Sequence, residues 1–503
     1  MKILLLSMPD SFEHMPVGAV RMPNGALTSL AGNLDPHHTV AVADLILVQS
    51  TVEATLRRLM HEIDPDVVGL SIMTFQRHTA FAIMALLRAF KPRVTIVVGG
   101  YDPSLARDIY TDPKSPIDYL VRGEGEITFR LLIRALEAGE GTETIAGLSW
   151  RDGDAFRHNP DRRVGDLSNE EFRLPDRAAR ILAGYTMNGR QADVVETSRG
   201  CTYDCSFCSI IEMRGRNFHR FDLDRVIADI QDARDRGARS IFLVDDNITL
   251  DVKRFGKLCQ AIIDAGLHTI DYTVQGMTSS MANHGETLAP LMRRAGFRYV
   301  FLGIENVVQS DLNFLNAESK NTRRVAGKRT GNATLDAIAY IRGNGMHVVG
   351  GLIVGMPDDT VETIEANLAF ARDHVDWPYI QHPTPYPGTP MSADLRQKGL
   401  IASDDVSEYD GTTAVVRCQA VPARDIEFMR WRAERWMKVR HMPAMVRHDP
   451  GFSLRHGLKL LRHTFRGSTI RSVLGLENQR RAFERYCAIR QSERAYLGRS
   501  ASV

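Results

Sequence analysis

"SRGCTYDCSFCSI", residues 198–210, places three of the six cysteines of a 503-residue chain within eight positions. At about one cysteine per eighty residues, such a triplet arises by chance on the order of once in a thousand chains of ordinary composition. A disulfide framework is a weak alternative, because the chain is long enough to bury its own core and no cysteine precedes Cys201. Structural zinc takes four ligands, usually from two knuckles. Here no second cysteine pair exists, and the nearest histidine downstream, His219, lies eleven residues after Cys208. Three thiolates leave one coordination position open, which suits a 4Fe–4S cluster whose fourth iron binds another molecule. The C-x3-C-x2-C spacing therefore favours a cluster over zinc, with Cys201, Cys205 and Cys208 as metal ligands and catalytic residues.

Outward from this stretch the chain alternates strand and helix. Apolar runs at 193–197, 240–244, 269–274, 298–303, 347–353 and 379–382 read as buried strands. Between them, Val226, Ile227, Ile230 and Ala233 mark a helix ending near Gly237, and Asp359 with Glu362 has capping-box spacing. Six strand–helix units predict a partial (β/α)6, TIM-like barrel, whose chemistry sits on the loops after the strands. The cysteine stretch follows the first of these strands and so lies at the barrel mouth.

Upstream, "KILLL" (2–6), "TVAVADL" (39–45), "VVGLSI" (67–72), "VTIVVGG" (94–100) and "IDYLV" (117–121) alternate with helical segments. Val52, Leu56, Leu59, Met60 and Ile63 recur at the spacing of one helix face. This predicts an α/β, doubly wound, Rossmann-like parallel sheet that binds ligands beyond the carboxyl ends of its strands. Ser71, Thr74, Gly99-Gly100 and Gly123-Glu124-Gly125-Glu126 occupy those ends. The glycines either admit a bulky ligand to the backbone or simply form turns. The predicted organisation is a Rossmann-like domain at 1–150, a linker at 151–190 built on "RDGDAFRHNPDRR", a barrel at 191–400 and a mainly helical region at 401–503.

Taken together these segments resemble the cobalamin-dependent (class B) radical S-adenosylmethionine (SAM) proteins, from residue 1 to about 440. The cysteine loop, with Phe207 before its last cysteine, is similar to the signature of that superfamily. "FLVDDN" (242–247) resembles the segment that holds the SAM amino group, which implicates Asp245, Asp246 and Asn247. "LGIEN" (302–306) resembles the ribose-contacting strand, with Glu305, and "GLIVGMP" (351–357) the adenine-contacting strand, with Ile353 and Gly355. "TPYPGTP" (384–390) also matches one branch of the superfamily. The Gly99-Gly100 pair and the turn at Gly123 and Glu124 match the cobalamin domain of that branch, and Ser71 and Thr74 lie beside them. The resemblance implies three cofactors: a 4Fe–4S cluster, SAM and cobalamin. It implies hydrogen abstraction by a 5′-deoxyadenosyl radical and methylation of an unactivated carbon, or alternatively an oxidative cyclisation such as that of a porphyrin. Methylthiotransferases would need further N-terminal cysteines, and a non-catalytic sensor would not need an open-site cluster. The family's D-x-H-x-x-G pattern is incomplete, since Asp35-Pro36-His37 ends in Val40, and His14 lacks it too. Cobalt is therefore expected to carry no protein histidine.

Net charge is +2, but the residues from Val421 onward hold 18 Lys/Arg against 7 Asp/Glu. Leu454, Leu458, Leu461 and Phe465 recur at helical spacing beside Arg455, Lys459, Arg462 and Arg466. The pattern fits packing against the barrel or a second subunit, or peripheral contact with an anionic membrane. No apolar run approaches the ~18 residues of a span and no leader is evident, so a cytoplasmic, optionally membrane-associated enzyme is expected. Expected partners are a small-molecule or lipidic substrate and an external electron donor of flavodoxin or ferredoxin type, with no nucleic acid. Cys259, Cys418 and Cys487 stand apart, and Cys259 reads as a core residue.

Overall fold

The computed structural model describes all residues except 12–19, 163–164, 166, 168–170, 326–327, 449, 494–495 and 498–503. His14 lies outside the described residues. The N-terminal sheet contains β1 (Lys2–Ser7), β2 (Thr39–Asp44), β3 (Val67–Ser71), β4 (Thr95–Gly99), β5 (Tyr119–Val121), β6 (Leu148–Asp152) and β7 (Ala155–His158). Their spatial order is β2-β1-β3-β4-β5-β6-β7, parallel through β5. Alternate residues of β1 supply opposite faces. Leu4 and Leu6 pack on the helix Val52–Ile63 and its neighbours, whereas Ile3 and Leu5 pack on the helices Gly25–Asn33 and Glu126–Ala138. Burial on both faces explains the near-continuous apolar runs of these strands. The strand order reverses between β1 and β3, which opens a crevice at their carboxyl ends.

The expected linker begins instead with a hairpin. β6 and β7 add antiparallel to β5, joined by Gly153-Asp154 with Gly153 at φ +61°. A two-residue turn of this kind needs left-handed backbone, which glycine adopts freely.

The second sheet contains β8 (Arg190–Val195), β9 (Ser240–Leu243), β10 (Asp271–Met277), β11 (Phe297–Glu305), β12 (His347–Ile353) and β13 (Trp377–Gln381), all parallel and adjacent in chain order. A short strand, Thr186–Met187, and then Val20–Arg21 extend its β8 edge antiparallel. The predicted helix Leu223–Asp235 buries Val226, Ile230 and Ala233. The helix Thr278–Arg294 follows β10 directly. The helix Val361–His374 is capped by Thr360, not Asp359, and the reciprocal partner is Thr363, not Glu362. Asp359 is unavailable as a cap because its Oδ2 accepts the Gly355 and Met356 N–H groups, each at 2.8 Å.

Beyond the barrel, the helix Ala423–His448 buries Ile426, Met429 and Met437 in the barrel core. The helices Pro450–Thr464 and Gln479–Glu493 follow. Cys259 is fully buried in the same core.

Candidate active site

The cysteine stretch leaves β8 as an irregular loop held from several directions. The Ser206 N–H donates to the Leu315 carbonyl at 2.9 Å, and Asn316 Nδ2 to the Asp204 carbonyl at 2.8 Å. The Met391 N–H donates to the Ser206 carbonyl at 2.9 Å. All three cysteines are free thiols and line one cavity of about 230 Å³ at the barrel mouth. Phe207, Asp246, Asn247, Glu305 and Ile353 line it as well. Asn247 Nδ2 lies 3.8 Å from Cys201 Sγ. Burial pushes the thiols up, Cys205 to about 11 and Cys208 to about 12. Thiolates at this depth require a compensating cation, and the open-sided donor set of three suits an iron–sulfur cluster.

Glu305 has φ +60°, a left-handed backbone that turns its carboxylate into the cavity. There it forms an ion pair with Lys320, whose ammonium sits 6.0 Å from the Phe207 ring centre. Burial alone would lower the Lys320 pKa, but Glu305 and the neighbouring thiols raise it overall. Lys320 is a site residue that sequence reading misses. It arrives from a segment without periodicity, so nothing local marks it.

A second cavity, of about 450 Å³, lies where the carboxyl ends of β3, β4 and β5 meet the barrel loops. Ser71, Gly99, Gly100, Gly123 and Glu124 line it as expected from their strand-end positions, and its surface is mostly apolar. Gly100 has φ +102°, and a Cβ there would meet the Ile72 carbonyl oxygen at 2.8 Å. Gly123, at φ +69°, is less crowded, since a Cβ there would only reach ordinary contact with the Met213 carbonyl oxygen at 3.9 Å. An apolar cradle with glycine walls fits a bulky planar ligand such as a corrin ring. Among the described lining residues there is no histidine. His37 is instead paired with Glu137 at 2.9 Å on the surface.

The acidic turn does something the sequence did not suggest. Arg199, from the quoted stretch, pairs with Glu126 at 2.5 Å, Glu196 at 2.8 Å and Glu124 at 3.2 Å. Arg214 adds a contact to Glu124 at 3.3 Å. Burial opposes ionisation, but Arg199 holds the Glu126 carboxyl down at about 2. The Glu124 and Glu126 carboxylates thus lock the N-terminal sheet to the cysteine loop. Arg199 could have been noticed for its place two residues before Cys201; Arg214 carries no such signal.

Three expected site residues do not reach either cavity. Asp245 is fully buried, and its oxygens accept the Thr197 N–H at 2.6 Å, Thr197 Oγ1 at 2.6 Å and Ser198 Oγ at 2.5 Å. Its neighbour on the chain points the other way. Asp246 accepts the Gly200 N–H at 2.7 Å and lines both cavities. Gly355 has φ +93° and packs on Ile426, where a Cβ would approach to 3.0 Å. Thr74 is buried in a short 3-10 turn beneath the second cavity's wall.

Comparison with known proteins agrees with this geometry. Residues 195–371 match the family model of the Radical SAM superfamily, and residues 20–133 match that of the B12 binding domain. An uncharacterized methyltransferase of Pyrococcus horikoshii is 30% identical over 431 residues, spanning 85% of this chain and 90% of its own. The anaerobic magnesium-protoporphyrin IX monomethyl ester cyclase of Cereibacter sphaeroides is 26% identical over 410 residues, 79% of this chain and 63% of its own. The fold is shared with the radical S-adenosylmethionine methyltransferase TsrM from Kitasatospora setae, solved with cobalamin and a 4Fe–4S cluster. The TM-score is 0.63 at 20% identity, over 79% of this chain and 78% of that one. The chain belongs to the cobalamin-dependent branch of the radical SAM superfamily.

Proposed function

We propose that this enzyme methylates an unactivated carbon of a small or lipidic substrate, held where the two cavities meet. The observation that carries the reading is Asp246, one side chain that lines both cavities. Cofactors bound in the two cavities would share that wall. When bound, the cluster with SAM supplies a hydrogen-abstracting radical, and cobalamin supplies a transferable methyl group.

The chain's own residues bind, orient and shield. Cys201, Cys205 and Cys208 would hold the cluster. Asn247, Glu305, Ile353 and Asp246 face the space left for SAM. Gly99, Gly100 and Gly123 line the space for the corrin, with Ser71 and Glu124 at the rim. Asp245, Thr74 and Gly355 act as positioning residues from behind these walls. Apolar lining keeps water and stray hydrogen donors away from the reacting carbon. An external donor of flavodoxin or ferredoxin type would deliver the electron.

The cyclase relative makes oxidative cyclisation the competing reading. The test is anaerobic reconstitution with iron, sulfide and hydroxocobalamin, beside a Cys201/Cys205/Cys208→Ala variant, followed by methyl-labelled SAM and a reductant. A cluster EPR signal absent from the variant, retained cobalamin that takes up label, and release of S-adenosylhomocysteine are expected. SAM consumed only to 5′-deoxyadenosine, with no label on retained cobalamin, would overturn methyl transfer. A cluster without retained cobalamin would overturn the two-cofactor site.

A further inference from the structure

Among the described residues, seven of the thirteen exposed large apolar side chains lie between Trp436 and Leu476. Over the same stretch the sequence has eight Lys/Arg and a single acidic residue, Asp449. The concentration centres on the helix Pro450–Thr464. Leu454 is 88% exposed and Leu458 82% exposed, with Leu461 on the same face. The helix is anchored at its far end, where the Phe465 ring lies 6.2 Å from Trp436 and 5.0 Å from the Arg435 guanidinium. From that anchor the stripe runs outward, and the exposure of Leu454 and Leu458 shows that its N-terminal part points away from the protein. Arg447, Arg462 and Arg471 are exposed around it.

An exposed apolar stripe of this kind marks an interaction surface. Charge decides its partner. A second copy of the chain would bring one basic face against another, and like charges in juxtaposition oppose association. Nucleic acid would satisfy the arginines but would leave the leucines without an apolar counterpart. An anionic bilayer satisfies both, because leucines enter the acyl boundary while arginines meet the headgroups. No helix among the described residues is long and apolar enough to cross a membrane. We infer that the helix Pro450–Thr464 docks the enzyme onto an anionic lipid surface, lying in its plane.

The inference is independent of the proposed chemistry, since binding needs neither SAM nor substrate. Flotation of the reconstituted holoenzyme with vesicles tests it. Vesicles of phosphatidylglycerol and phosphatidylcholine in equal parts are compared with phosphatidylcholine alone, at low and high salt. Binding to the anionic vesicles, weakened by salt, is expected. The L454E/L458E and R447E/R462E variants should each reduce it by on the order of tenfold or more. Both pairs are exposed, so circular dichroism and the cofactor spectra should remain those of the parent enzyme. Absence of binding at low salt, or unchanged binding by L454E/L458E, would overturn the inference. So would conversion of a parent dimer to a monomer by L454E/L458E without effect on vesicle binding, which would assign the face to a second copy.

Discussion

The two cavities at the barrel mouth are built on opposite principles. The smaller one is made of side chains: three thiols, the Glu305–Lys320 ion pair and the Phe207 ring. The larger one is made of missing side chains, with glycines at the ends of β4 and β5 and an apolar floor. Glu124 and Glu126 in its lining are paired with Arg199 and Arg214, which line it as well, and so serve as a clamp between the sheets. Chemistry that needs donor atoms is written in residue identity and spacing. Chemistry that needs room is written in backbone conformation, which many sequences share.

If this division holds, the cavities can be disabled separately. The largest effect is expected from Cys205→Ala. Iron content and SAM cleavage should fall to background while cobalamin is retained in full, as read from iron analysis and the optical spectrum. Simultaneous loss of cobalamin would show that the cavities are one structural unit. Glu126→Ala attacks the clamp between them. It leaves the buried Arg199 with Glu124 and Glu196 alone; because the charge stays partly paired, the cost is expected to fall below the ~3–5 kcal/mol of a fully broken buried pair. Anaerobic denaturant unfolding should show that loss, with both cofactors released together. Gly100→Val is aimed at the glycine cradle alone. The residue sits at φ +102°, and a Cβ would meet the Ile72 carbonyl oxygen, a backbone atom, at 2.8 Å. Strain of about 1–3 kcal/mol is expected, together with weaker cobalamin retention and an unchanged cluster EPR signal.

The same contrast governs how much could be read in advance. The cysteine loop, the six parallel barrel strands and the five parallel strands of the first sheet follow from spacing and apolar runs, because each is encoded within a few residues. What escaped depends on distant partners. Lys320 meets Glu305 only after the barrel closes. Thr360 displaced Asp359 as a cap because Asp359 turns back to the Gly355 and Met356 amides. The β6–β7 hairpin was locally legible in Gly153-Asp154, but the surrounding charged residues disguise strands at a sheet edge, where one face is wet.

Asp245 and Asp246 set the finest test, because adjacent carboxylates of one motif are assigned different tasks. Both were expected at the SAM amino group, yet only Asp246 reaches a cavity. Asp245 ties the loop after β9 to Thr197 and Ser198, at the stem of the cysteine stretch. An asparagine with its oxygen in the Oδ1 position can accept the Thr197 N–H, and its amide nitrogen in the Oδ2 position can donate to the Thr197 and Ser198 hydroxyls, so Asp245→Asn should cost only about 1 kcal/mol. SAM affinity, measured by equilibrium binding to the reconstituted enzyme, should then stay within about twofold of the parent, since no contact to the ligand is lost. A much larger loss would return Asp245 to the SAM site. Stability against pH gives a second readout. Burial raises the Asp245 carboxyl to about 6 from its ordinary 3.8. The folded state therefore binds the proton more tightly than the unfolded chain, and the stability this group contributes is complete below 3.8 and declines as pH rises through 6. Asp245→Asn removes the titrating group, so the stability profile between those pH values should be flatter than in the parent enzyme.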